Sequence, residues 1–413
     1  MENLQSFKLN KSQEDAVLSC INAGECCHQN TVKLIWGPPG TGKTKTVGFL
    51  LCALFQMKCR TLTCAPTNIA VVEVAARVRR SLVEIVGFET YGVGDIVLFG
   101  NQERMKIDER NDVLDVFLDY RVEILQQCFS DWSNNLTSMI NLLENPEELH
   151  SFYLLENLLL QNDKEENTDE PEKEIKSCKD KKLKDKKKRN RTKKKNSAWS
   201  KEKEAEVEDD HYKKSENSEE KSDSLTLEEF VLERFKSINE KLKFCITSLY
   251  THLPTSCLPL KLVKNMIRAL DLLKSLEALL FSVNVINEGL NHILQESENE
   301  FNNTRRECVN TLRTLPHEFP GQNFSNGMSI RKFCLSNACL LFCTASGAIR
   351  LHIKNMAKLQ CVVIDEAAQL KECESAIPLQ LKGLHHAVLV GDERQLSAMV
   401  NSQVQSSFSS IRF

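Results

Sequence analysis

Between residues 1 and 86 the chain alternates short apolar runs with longer stretches whose apolar positions recur every three to four residues. Residues 32–36 (VKLIW) predict a buried strand, 46–55 a mostly apolar helix and 61–65 a second short strand. Residues 68–86 predict a helix with Arg77, Arg79 and Arg80 toward its end, where cations suit the helix dipole. Strand, loop, helix, strand, helix in that order predicts an α/β fold with a parallel sheet. The pattern then breaks. Residues 95–99 (DIVLF), set between glycines, predict a strand of a small β module spanning 86–115. Helical periodicity fills 116–162, interrupted at Pro146, and resumes over 225–329. There Thr226 and Glu229 have the spacing of a capping box. Leu262, Met266, Leu270, Leu273, Leu276 and Leu280 form one apolar stripe, expected to pack helix against helix. Short apolar runs return at 340–344, 359–364 and 387–390. Residues 1–85 and 330–413 are therefore expected to be two halves of one sheet domain. Two helical arms would leave it and could pair antiparallel as a stalk.

Composition changes this picture in one place. Residues 163–224 are nearly free of apolar side chains and dense in Lys, Glu, Asp and Ser. Such a segment cannot bury enough surface to offset its chain entropy and is expected to be a disordered loop. Within it, residues 179–195 hold twelve Lys or Arg against two Asp. The stretch reads as a solvated spacer, as a nuclear import signal or as a nucleic-acid tether. Elsewhere charge is balanced: the net value is −3 over 413 residues, so no global field marks a polyanionic partner. The sixteen cysteines are scattered. Their densest cluster, Cys20, Cys26, Cys27 and His28, lacks a second pair at zinc spacing, so ordinary reduced thiols are expected. No leader-like N-terminus and no run of 18 apolar residues appear, and no membrane association is expected.

Three short blocks carry the chemistry. The first is GPPGTGKT: Gly37, Pro38, Pro39, Gly40, Thr41, Gly42, Lys43 and Thr44. Its glycines let backbone N–H groups face phosphate, and the helix that follows presents its N-terminus to the same anion. Lys43 can reach the β- and γ-phosphate oxygens, and Thr44 can coordinate Mg²⁺. The second is VVIDEAAQ, which sets Asp365 at the carboxyl end of an apolar strand, where open α/β sheets bind ligands. Asp365 would hold the Mg²⁺, and Glu366 would orient or deprotonate an attacking water. The third, VLVGDERQL, supplies Asp392 and Gln395; a neutral amide beside the γ-phosphate can distinguish ATP from ADP.

Together these blocks resemble a superfamily 1B helicase of the senataxin and nonsense-decay type. LNKSQEDAV at 9–17 is similar to that family's adenine-recognising element, which implies Gln13 as the base-reading amide. APTNIAV at 65–71 and FCTASGA at 342–348 resemble its strand-contact blocks. The resemblance thus implies Pro66, Thr67, Asn68, Thr344 and Ser346 at a nucleic-acid face. Hydroxyls, amides and backbone N–H groups suit contacts to sugar and phosphate without base readout. Read from the residues alone, Pro66–Thr67–Asn68 would simply end a strand and cap the next helix. By resemblance the fold is a P-loop, RecA-like parallel-sheet domain with a long insertion, and the cofactors are ATP and Mg²⁺. The implied partner is single-stranded RNA or DNA, and the location is the nucleus, with the cytoplasm as a further compartment. The phosphate loop's spelling also occurs in AAA+ machines, which need a helical lid after the sheet; DEAAQ with GDERQL points away from them.

The resemblance covers one sheet domain, whereas the family's motor uses two, and Ser397 stands where the family usually has proline. The expectation is weak ATP binding and little turnover by this chain alone, a truncated form that a protein supplying a second motor domain could complete. The competing expectation is a non-catalytic module that holds nucleotide and nucleic acid.

Overall fold

The computed structural model describes residues 9–24, 28–86, 90–165, 225–282, 290, 294, 299–320, 326–354 and 356–395. The expected disordered loop at 163–224, with its basic stretch, lies almost wholly outside them, as do Cys26 and Cys27. The chain falls into two compact units, Met1–Pro146 with Val231–Phe413, and Glu147–Phe230.

In the first unit, helix α1 (Lys11–Gly24) leads into β1 (Thr31–Trp36), α2 (Lys43–Gln56), β2 (Thr61–Ala65), α3 (Asn68–Val86) and β3 (Ile96–Leu98). A single helical turn, α4 (Gln102–Met105), and the long α5 (Leu118–Glu144) follow. The chain later returns through β4 (Leu340–Thr344), β5 (Cys361–Ile364) and β6 (His386–Gly391). All pairings are parallel, in the order β1-β6-β5-β2-β4-β3. Parallel strands need crossovers, and these put helices over the sheet. Helix α2 is buried without interruption from Thr46 to Phe55, and β2 is buried at all five positions.

Two expectations about strands change. Residues 32–36 do not form a buried strand. β1 is an edge strand whose residues alternate, leaving Val32, Leu34 and Trp36 exposed on one face while Lys33 bonds Ser19 of α1 on the other. The apolar run conceals this, because periodicity cannot tell a central strand from an edge strand carrying apolar residues on an open face. Nor does DIVLF build a separate β module: β3 pairs with β4 and is the sixth strand of the main sheet. Helix α3 ends as expected, but its arginines lie mid-helix. Arg79 pairs with Asp115, and Arg80 bonds the Ala76 carbonyl.

The insertion contributes α5, α7 (Leu227–His252), α8 (Leu260–Leu280) and α9 (Glu300–Arg313), before α10 (Gly327–Asn337) leads into β4. Trp132 of α5 is fully buried, donates Nε1–H to the Pro316 carbonyl at 2.8 Å and meets Phe319 edge-on. The stripe of α8 is buried at Val263, Met266, Ala269, Leu273, Leu276 and Leu280; Leu262 and Leu270 sit at its margins.

The insertion is fastened beneath β3 by a polar hub. Arg121 is completely buried and donates to the carbonyls of Val93, Gly94, Ile96 and Asp115 at 2.8–3.0 Å. Asp95 accepts from the backbone N–H and hydroxyl of Thr255. A side chain at Gly94 would collide with the Leu253 carbonyl, 2.1 Å from an added Cβ, so only glycine lets the two segments meet.

The second unit holds most of α6 (Pro146–Glu165) and the first turn of α7. Phe230 packs on the rings of His150 and Tyr153, and Thr226 and Glu229 make the expected reciprocal capping box. Among the described residues no helix is long and apolar enough to cross a membrane.

Candidate functional site

The carboxyl ends of the six strands form one rim, and GPPGTGKT and the residues singled out after β2, β4, β5 and β6 lie on it. GPPGTGKT connects β1 to α2. Gly40 and Gly42 have φ of 80° and 82°, a left-handed conformation in which a Cβ is penalised. A Cβ on Gly42 would also come 2.7 Å from Gln13 Nε2. Gly42 is the N-cap of α2 and supplies no side-chain acceptor to the N–H groups of the first turn. Inside the loop, Thr41 bonds the Pro38 carbonyl, and Lys43 Nζ donates to the carbonyls of Gly37 (2.8 Å) and Pro38 (3.4 Å). Thr44 is half-buried in the first turn. Gln13 reaches in from α1 and donates Nε2–H to the Thr41 carbonyl at 2.9 Å. Its Oε1 accepts from Asn10 N, and Asn10 Oδ1 accepts from Gln13 N. In this state the amide braces the loop.

At the end of β5, Asp365 is 3% exposed. Burial pushes its pKa up to about 6, and the Glu366 carboxylate adds to the rise; the Glu366 N–H, Lys43 and Arg77 work against it. Glu366 has φ 52° and ψ 40°, a left-handed conformation for a residue with a side chain. Such strain costs about 1–3 kcal/mol and gathers at active sites. It turns the chain so that Glu366 N–H donates to Asp365 Oδ1, while Gln369 Nε2 donates to Glu366 Oε2 at 3.2 Å. Beyond β6, Asp392 accepts from Gln395 Nε2 and Arg394 N, both at 2.9 Å. These bonds, with a contribution from Lys43, hold Asp392 below the usual carboxylate range. The Lys43 charge therefore acts on both Asp365 and Asp392.

The donor set suits a magnesium–triphosphate group. An uncapped helix N-terminus and a left-handed glycine loop favour phosphate. A buried carboxylate whose ionisation is opposed by its surroundings favours a cation. No cluster of three or more metal-binding side chains exists among the described residues. A hard cation that takes much of its coordination from phosphate and water does not need one.

On the other half of the rim, β2 and β4 end side by side, with Ala65 opposite Thr344. Thr67 Oγ1 accepts from Ala70 N, so this residue does cap α3. Thr344 Oγ1 accepts from Gly347 N and lies 3.4 Å from the Ser346 hydroxyl. Pro66, Thr67, Asn68, Thr344 and Ser346 are thus gathered at one place, and Thr67 and Ser346 are exposed there. Two residues beside Asp365 and Glu366 were not assigned to the site from the sequence. Gln369, the last letter of DEAAQ, carried the signal of standing three residues after Glu366. Arg77 had none, since its approach to Asp365 depends on how α3 crosses the sheet. An apolar crevice lined by Cys20, Leu50, Leu54, Cys361 and His386 lies at the opposite ends of the strands, away from all these residues.

A phosphate loop, an Asp–Glu pair and an amide-bearing loop on consecutive strand ends of a parallel sheet have the arrangement of a P-loop fold of the helicase type. The family described as "AAA domain" matches residues 8–403, and the chain belongs to it, as a superfamily 1B helicase-type first motor domain. The chain is similar to "Helicase sen1" of Schizosaccharomyces pombe, 30% identical over 138 residues, which is 29% of this chain and 8% of that protein. It is also similar to "ATP-dependent helicase NAM7" of Saccharomyces cerevisiae, 42% identical over 73 residues, 17% of this chain and 7% of that protein. A third relative is "ATP-dependent helicase upf1" of Schizosaccharomyces pombe, 36% identical over 86 residues, 19% of this chain and 8% of that protein. The matched stretches span less than a tenth of each of these relatives.

Proposed function

We propose that this chain binds ATP weakly with Mg²⁺ at the β1–β6–β5 end of the rim and hydrolyses it slowly by itself, with stimulation when single-stranded RNA or DNA lies across the β2–β4 end. The observation that carries this reading is the strand order β1–β6–β5, which sets side by side the strand ends that bear the Lys43 loop, Asp392 and Asp365. Lys43 would leave the carbonyls of Gly37 and Pro38 for the β- and γ-phosphate oxygens, and the N–H groups of the loop and of α2 would cradle the remainder. Thr44 and Asp365 would hold Mg²⁺, which when bound neutralises charge on the phosphates. Glu366, aimed by its left-handed backbone and by Gln369, would orient the attacking water and take up its proton. Gln395 would exchange its bond to Asp392 for one to the γ-phosphate, so that the loop after β6 reports the nucleotide state. Gln13 would read the base while remaining tied to Thr41. Pro66, Thr67, Asn68, Thr344 and Ser346 would contact the strand backbone. A protein carrying a second motor domain would complete the nucleotide site.

The test is steady-state ATP turnover with and without single-stranded RNA or DNA, in the parent chain, Lys43→Ala and Glu366→Gln. The expected result is strand-stimulated turnover that both substitutions remove. Salt-sensitive strand binding that ignores ATP and both substitutions would instead identify a non-catalytic binding module. For the basic stretch at 179–195 we propose nuclear import and nucleic-acid tethering. Unchanged nuclear uptake and strand affinity after its deletion would reduce it to a spacer.

A further inference from the structure

The rim continues past the residues discussed so far, along the 3₁₀ segment Ser346–Leu351 that leaves β4. With three residues per turn, positions three apart lie above one another. Ala348 and Leu351 share the inner face and are 0% and 2% exposed. Ser346 and Ile349 share the outer face, where Ile349 is 59% exposed although Ala348 before it is core. Arg350 is exposed on the third face and extends over the end of β3, where one guanidinium nitrogen approaches the Gly100 carbonyl at 3.4 Å. That is one long bond from a group with five donors, and no ion pair joins Arg350 to a carboxylate among the described residues. On the neighbouring strand end, Ile69 in the first turn of α3 is 67% exposed. Two apolar side chains that give nothing to the core, a row of hydroxyls and an unpaired cation thus stand together on the ends of β2, β4 and β3. Adjacent strands are ~4.8 Å apart, so this row lengthens the rim by a further strand beyond β4.

We propose that Ile349 and Arg350 form an additional contact site for single-stranded nucleic acid, with Ile349 against base faces and Arg350 pairing with a backbone phosphate. The site rests on the strand-binding reading above and extends the track from β4 to β3. Arginine suits phosphate because its planar fork can donate two parallel hydrogen bonds. An isoleucine face tolerates any base, so the contact adds affinity without sequence preference.

The experiment is fluorescence anisotropy of a labelled oligouridine and a matching oligodeoxythymidine with the full chain over a range of salt concentrations. The proteins are the parent, Arg350→Ala, Arg350→Lys, Ile349→Ser and, as a distant control, Arg268→Ala on α8, with thermal melting of each to establish folding. Arg350→Ala is expected to weaken binding and to lower the slope of log K against log salt by about 0.7, the release associated with one phosphate on a single strand. Arg350→Lys should restore the slope. Ile349→Ser should weaken binding at an unchanged slope, and Arg268→Ala should change neither. Parent binding with unaltered affinity and slope in both Arg350→Ala and Ile349→Ser overturns this site and leaves the broader reading standing. A folded Arg350→Lys that stays as defective as Arg350→Ala overturns the phosphate assignment. A parent chain that binds neither strand overturns the strand-binding reading and this site with it. Unequal effects on the two oligomers would assign the contact to RNA or to DNA.

Discussion

The two ends of the rim are built differently. At the nucleotide end the backbone is unusual: Gly40, Gly42 and Glu366 all have positive φ, and the carboxylates of Asp365 and Asp392 are displaced in opposite directions from their ordinary pKa. At the end proposed to bind the strand the geometry is relaxed. Thr67 caps a helix, the Thr344 hydroxyl accepts from Gly347 N, and the features left over are exposure and unused donors. A site that performs chemistry needs groups held away from their preferred states, whereas a sequence-tolerant binding face needs only surface that folding did not consume. The two ends also lean on different supports. The nucleotide end rests on the sheet and α2, while the other end has beneath it, at β3, the hub of Arg121, Asp95 and Thr255.

The largest effect that would sharpen this contrast is at Glu366. Glu366→Gln should lower turnover about 10²–10⁴-fold while ATP binding persists. Glu366→Gly should be as inactive, yet no less stable to heat than the parent, because glycine relieves the left-handed strain. A clear loss of stability in Glu366→Gly would mean that no strain is stored there.

Acid should act on the other end. His252 is buried beside Arg121, and burial first, then the arginine charge, lower its pKa to about 3 from an ordinary 6.5. An opened hub binds the proton at a pH where the closed one does not. Its contribution is therefore fully present above pH 6.5 and is lost as pH falls toward 3, by up to about 1.4 kcal/mol per pH unit. Amide exchange at pH 7 and pH 5 should show α7 and β3 losing protection before β1 and α2, and His252→Gln should remove the difference. Equal loss at both ends would break the comparison.

Smaller effects follow. Gly42→Ala must place a Cβ in a left-handed backbone and against Gln13, so nucleotide affinity should fall about 5- to 30-fold, from a penalty of about 1–2 kcal/mol. Strand binding without nucleotide should be unchanged, as anisotropy would record. Thr67→Ala removes a helix cap and should cost about 1 kcal/mol in urea unfolding. If Thr67 also touches the strand, affinity should fall by more than that of a variant equally destabilised elsewhere in α3.

Much of this was legible before any coordinates. The order of apolar runs and glycine signals is local, and so are the loop GPPGTGKT, the pair Asp365–Glu366 and the capping box at Thr226; each depends on residues a few positions apart. What could not be read was anything decided by a neighbour distant in the chain. Val32, Leu34 and Trp36 looked like core residues, and their exposure depends on β1 being at the edge. Ile96, Val97 and Leu98 looked like part of another module until their pairing with β4 placed them in the sheet. Arg121 carried no signal in α5, since its partners are backbone carbonyls that every residue possesses.

The sequence by itself determined that a phosphate-gripping loop, an acidic pair and an amide-bearing loop exist and that each follows an apolar strand, because turn conformation and strand patterning are short-range properties. Only the tertiary structure decided that Lys43 acts on Asp365 and Asp392, that Gln13 braces Thr41, and that Arg350 reaches over β3. Parallel strands are joined by long crossovers, so the strand order that brings such residues together is set by packing over the whole sheet and is written in no single stretch of the chain.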